Sequence, residues 1–192
     1  MNTRLGVALA LVVVLLLGVS GLVHAHSSLP KSFDDLVSEA EQIFVGTIVD
    51  TNSFMASSGQ IFTNVRFTPT ETLKGDVPPA FTMTFLGGEA GGLHLHIAGW
   101  PQLSVGDTYV VFSKGNGQVI FPVVGVEQGL FRVARDPETG ETIVRNAHGR
   151  EITSPTVRSA TRGTRAARAA ATSRPTLDSL LEAVRMKLAQ AP

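Results

Sequence analysis

The sequence predicts a mainly β protein, a barrel or sandwich, and three observations lead there. Apolar and polar residues alternate in short runs, and Gly, Asn, Asp and Pro separate those runs at regular intervals. Helical periodicity is confined to one stretch before the first run and one at the end of the chain. Strands placed this way favour a closed or face-packed antiparallel architecture over an α/β sheet.

Ahead of the first element, Asn2-Thr3-Arg4 leads into an apolar run from Leu5 to Val23 that ends Val23-His24-Ala25. A basic start, an apolar centre and small residues before the cut make residues 1–25 an export signal, cleaved after Ala25 so that His26 becomes the new terminus. The run also approaches the roughly 20 residues that span a bilayer, so a retained anchor is the alternative. The expected location is secreted or periplasmic. The chain has no cysteine, which excludes disulfides and thiol lipidation and leaves packing and hydrogen bonds to hold the fold.

Charge divides the rest. From Lys31 to Arg150 there are 8 Lys and Arg against 13 Asp and Glu, whereas Ile152 to Pro175 holds five arginines and no acid. Residues 26–150 are expected to form the β domain, 151–174 a flexible Arg/Ala/Ser/Thr-rich linker and 175–192 a C-terminal amphipathic helix. The basic segment reads first as solvated, with peripheral membrane contact as its alternative. No nucleic-acid partner is expected.

Ser32 followed by Phe33, Leu36, Val37 and Ala40 at helical spacing, with Asp35 three residues after the cap, predicts a short capped helix. From Gln42 the period becomes two: Ile43 to Val49 is β-branched and ends in Asp50-Thr51-Asn52-Ser53. Ile61, Thr63, Val65 and Phe67 alternate next, and Pro69 predicts a bulge or an edge because it has no ladder N–H. Phe81, Met83 and Phe85 face one way in Ala80 to Leu86, and the Gly87 to Gly92 stretch reads as an irregular loop. Leu93, Leu95 and Ile97 alternate with His94 and His96, and further strands are expected over 107–113, 119–124, 129–134 and 142–145. At the end, Thr176 caps a helix with Leu177, Leu180, Leu181, Val184 and Leu188 on one stripe.

The order of a helix, Ala40-Glu41-Gln42-Ile43-Phe44-Val45-Gly46-Thr47-Ile48-Val49, Glu71-Thr72-Leu73-Lys74-Gly75, Gly87-Gly88 and Val105-Gly106-Asp107-Thr108-Tyr109-Val110-Val111-Phe112 resembles a family of uncharacterised bacterial exported proteins. Gln128 to Val133 continues the likeness, which covers about Phe33 to Arg145. More distantly, the pattern is similar to the netrin-like modules of tissue inhibitors of metalloproteinases. That resemblance implies an OB-like barrel, closed or partly open, and protein binding outside the cytoplasm. The inhibitors' zinc-chelating terminal cysteine and disulfides have no counterpart here, so inhibition does not carry over.

The chemistry-bearing residues are few. His94 and His96, two apart on a strand, share a face and can offer two imidazoles to a metal, with His148 or His26 needed as a further ligand. The simpler reading places both on the solvent face of a strand whose leucines point inward. His26, as a terminus, could chelate Cu(II). The glycine stretch matches no phosphate loop, and no nucleophile elbow is present. Trp100 beside the glycine loop is a candidate anchor for a partner, or else a plug for the barrel end. The expected function is a non-catalytic exported module without a cofactor, binding an exported or envelope protein through Gly88, Glu89, Gly92 and Trp100. Metal binding and an envelope-associated structural role are the alternatives.

Overall fold

The computed structural model describes residues 29–152 and 174–190. The export signal, His26 and most of the 151–174 linker lie outside the described residues. The elements run α1 (Phe33–Glu39), β1 (Gln42–Met55), β2 (Ile61–Lys74), β3 (Phe81–Leu86), β4 (Gly88–Ala90), β5 (Leu93–Leu95), β6 (Thr108–Ser113), β7 (Leu130–Arg135), β8 (Thr142–Asn146) and α2 (Leu177–Gln190).

The protein is mainly β. Six strands form one antiparallel sheet in the order β3-β2-β1-β6-β7-β8, and β4 and β5 pair separately. Among the described residues β3 and β8 are outer strands with no ladder between them, so the sheet does not close into the expected barrel. The segment expected as a strand over 119–124 makes a single bridge, Ser113 to Val123, and otherwise bends. Pro122 within it cannot donate to a ladder. The glycine stretch expected to be irregular forms β4 and turns back into β5.

Local chemistry sets the remaining elements. Ser32 caps α1 through a reciprocal box: its Oγ accepts from the Asp35 N–H, and the Asp35 carboxylate accepts from the Ser32 N–H, each at 3.0 Å. β1 and β2 are long but not regular, with register shifts beside Ile43, Val45 and Ile48. Pro69 faces Gly46 at one shift, beyond the last residue of β2 that pairs with β3, where a missing N–H breaks no ladder.

Alternation along β1 and β6 feeds two cores. On one face Ile43, Val45, Val110, Phe112 and Phe131 meet Phe33, Leu36 and Val37 of α1 and Leu180, Leu181 and Val184 of α2. The leucine stripe of α2 is therefore occupied by this protein's own sheet and α1 rather than left for a membrane or another partner. On the other face Phe44, Ile48, Phe67, Met83, Phe85, Tyr109 and Val111 pack together, with Phe67 and Phe81 each edge-on to Phe44. Burial there pushes the Tyr109 phenol up to about 12, so it stays protonated.

Both outer edges are covered. On β3, the Asn116 side-chain amide donates to the Thr82 carbonyl at 2.8 Å and its oxygen accepts from the Thr84 N–H, while the Ile120 carbonyl accepts from the Leu86 N–H at 3.0 Å. On β8, the Val144 N–H donates to the Pro175 carbonyl at 2.9 Å and Ile143 bridges Thr176. Arg174 holds this second cover down by donating to Asp136 and to Glu151, each at 2.7 Å. The guanidinium, helped by the N–H groups of Glu138 and Thr139, lowers the Asp136 carboxyl from its ordinary range.

Two predictions follow from this packing. Leu180→Ala, at a side chain with no exposure, costs about 2–5 kcal/mol in urea unfolding, while Val105→Ala at an exposed position stays within about 0.5 kcal/mol. Because the folded-state pKa of Asp136 is depressed, its contribution is complete above the usual carboxylate pKa of about 3.9 and drains away as pH falls through the folded value. Asp136→Asn accordingly lowers stability at neutral pH and flattens the acid limb of a stability-against-pH curve.

Candidate functional site

The distal half of β1 and the start of β2 form a hairpin closed by Ala56 and Gln60, whose backbones bond at 2.8 Å. The β4–β5 flap seats against this hairpin. The seating is specific: the Thr63 hydroxyl donates to the Gly87 carbonyl at 2.7 Å and shares a 2.8 Å hydrogen bond with the Ser53 hydroxyl. A Cβ at Gly88 would lie 2.3 Å from Thr63 Oγ1 and 2.4 Å from Ser53 Oγ, and the residue's φ is +124°. Only glycine meets both demands.

Between the flap and the sheet lies a cleft of about 410 Å³. Its sheet side presents Ser53, Thr63, Val65 and Phe85; the flap and the following chain contribute Gly88, His94, His96 and Trp100. Trp100 is half-buried, its indole packed between Phe85 at 5.1 Å and Phe121 at 4.8 Å between ring centroids. It is thus a fixed wall of the cleft. Glu89 and Gly92 lie outside the cleft lining: Glu89 is exposed on β4 opposite His94, and Gly92 is exposed at the flap turn.

The two histidines do share a face. Their rings are nearly parallel, 12° apart with centroids separated by 6.5 Å, and both border the cleft. Of the inward-pointing leucines expected beside them, Leu95 is half-buried against the cleft but Leu93 is 59% exposed, because β5 pairs only with β4 and never joins the main sheet. Among the described residues no three His, Cys, Asp or Glu side chains are grouped to hold a metal. His148 stands in the turn after β8, its N–H bonded to Asn146 Oδ1 at 3.1 Å, beside a different hollow bordered by Lys31 and Arg150. The described residues therefore do not bring His148 to the His94–His96 pair, and His26 lies outside them.

Chemically the cleft offers an aromatic wall, two hydroxyls turned toward each other and two imidazoles at the rim. Neither imidazole is hydrogen-bonded to Ser53 or Thr63, whose hydroxyls are committed to each other and to Gly87. Ser53, Thr63 and Phe85 escaped the sequence reading as site residues because regular alternation accounted for Thr63 and Phe85, and a turn-rich tetrapeptide for Ser53. The signal that could have found them is the Gly87-Gly88 pair, which demands a close neighbour.

Substituting the seat tests this geometry. Gly88→Ala is expected to cost more than Gly92→Ala, for which positive φ alone contributes about 1–2 kcal/mol and no atom stands within 4 Å. Hydrogen exchange over residues 88–95 should accelerate in the first variant well beyond the second. No protein-family model, curated protein or solved structure matches this chain.

Proposed function

We propose that this chain is an exported, non-catalytic binding module of OB-like topology that takes a protein partner on its β4–β5 side. The observation that carries the reading is the surface around the cleft. Phe54 and Met55 at the tip of β1 and Leu93 on β5 are each more than one-third exposed. Phe54 stacks on Phe62 at 6.2 Å, and the Met55 methyl comes within 3.4 Å of a Cβ position at Gly91, which ties hairpin tip and flap into one apolar rim. An apolar rim around a concave site favours a protein surface over a small polar solute.

Four further points support the reading. Residues 1–25 have the pattern of an export signal. The meander β1–β2–β3 followed by a long connection that returns β6 beside β1 gives the local order β6-β1-β2-β3, a Greek key of the kind that OB barrels contain. Residues 116–120 lie along β3, where a closing strand would stand in a complete barrel. The committed hydroxyls at Ser53 and Thr63 fit binding rather than nucleophilic catalysis.

A photo-crosslinking side chain placed at Leu93 or Met55 should give one defined adduct in the exported fraction of producing cells, and the same group at Met186 on α2 should not. Met55→Ser with Leu93→Ser should abolish the adduct formed from a crosslinker at Phe54, without moving the unfolding midpoint by more than about 1 kcal/mol equivalent. Equal labelling from all positions would sink the reading.

A further inference from the structure

We propose that Arg132 and Arg145, meeting at the Gly149 turn, form a second binding site for a singly charged oxyanion, the chemistry shared by a carboxylate and a phosphate or sulfate monoanion. The two arginines are directly opposite on neighbouring antiparallel strands, β7 and β8. Like charges in that relation repel, so the pair costs stability unless something negative lies between or beside them.

Arg132 has its counter-charge in Asp107, to which its Nη2 donates. Arg145 has no acidic partner among the described residues. Its Nη1 donates to the Gly149 carbonyl at 3.0 Å, and its Nε is buried with no acceptor. A guanidinium donor withdrawn from water and left unsatisfied is unfavourable by itself. An anion in the groove beside this guanidinium would supply the counter-charge that Arg145 lacks.

The space for such an anion is present. A groove of about 320 Å³ is bordered by Gly106, Asp107, Thr108, Arg132, Arg145 and Gly149. The two guanidinium groups converge there: while Arg145 holds the Gly149 carbonyl, Arg132 Nη1 stands 3.7 Å from where a Cβ at Gly149 would be. The Gly149 turn is itself fixed, since Asn146 Oδ1 accepts from the N–H groups of both His148 and Arg150. Two cations and one carboxylate leave one uncompensated positive charge, which sets the ligand as singly negative. This groove shares no lining residue with the β4–β5 cleft, so the proposal stands independently of the function proposed there.

Arginine Nε–Hε resonances of the nitrogen-15-labelled full chain report directly on the site. Inorganic phosphate and acetate are titrated separately at constant ionic strength held with chloride, and the Arg145 signal is assigned by its loss in Arg145→Gln. The expected result is a saturable one-to-one shift of the Arg145 and Arg132 signals in at least one arm; the arm that saturates at lower concentration distinguishes a phosphate from a carboxylate source. Arg145→Gln should abolish saturation, and Arg145→Lys, which keeps the charge and loses the fork, should weaken it by about tenfold. Arg132→Gln, which leaves the Arg145 bond to Gly149 in place, gives the same reading should Arg145→Gln fail to fold. Shifts that grow linearly and match the chloride control, or saturation that survives loss of the arginine, would overturn the proposal.

Discussion

An antiparallel sheet that stays open carries two rows of backbone donors and acceptors with no strand to meet them, and the treatment of those rows organises this protein. One row, on β3, is met by an asparagine side chain and the backbone carbonyl of Ile120. The other, on β8, is met by the short extended segment at Pro175 and Thr176 that precedes α2. Neither cover is a full strand, and each is positioned by something else. The first depends on Gly115, whose N–H donates to the Glu41 carboxylate at 3.0 Å, and on the bond from Lys114 N–H to the Pro122 carbonyl. The second depends on the Arg174 clasp and on the leucines of α2 burying themselves against the sheet.

This arrangement explains why the chain can dispense with crosslinks. Both faces of the central strands are buried, one by helices and one by aromatic side chains, so β1 and β6 contribute apolar area in two directions at once. The bulged pairing of β1 with β2 lets one pair of strands serve two tasks. Its proximal half belongs to the core, and its distal half projects to carry the flap and the cleft. The glycines at 87 and 88 permit the change from sheet edge to flap without leaving a gap between them.

The fold was legible in the sequence wherever a single period explains a segment. The capping box of α1, the alternation in β3 and the stripe of α2 each depend on residues close along the chain, and each stands in the structure as read. Illegible were features decided by distant partners. The 119–124 segment has strand-like composition, yet Pro122 and its neighbours bend, and Ile120 gives its carbonyl to β3. The Leu93–Leu95 alternation suggested a buried face, but alternation specifies a face and not what lies against it; with only β4 beside it, β5 leaves Leu93 in solvent. The pairing of Trp100 with Phe85 and Phe121, which makes the Gly87 to Trp100 region one side of a cleft, needed the third dimension. The opposed arginines were invisible for the same reason, since register is not written in composition.

The Arg174 clasp also closes a loop of chain. By reaching Glu151 on one side and leading into the cover of β8 on the other, it brings residues 151 and 174, 23 apart in sequence, to a common point on the surface. The entropy lost in such a closure grows only with the logarithm of the separation, about 0.6 kcal/mol for each doubling. A contact between distant parts of the chain thus secures the edge of the sheet at a closure cost that depends only weakly on how far apart its two ends lie.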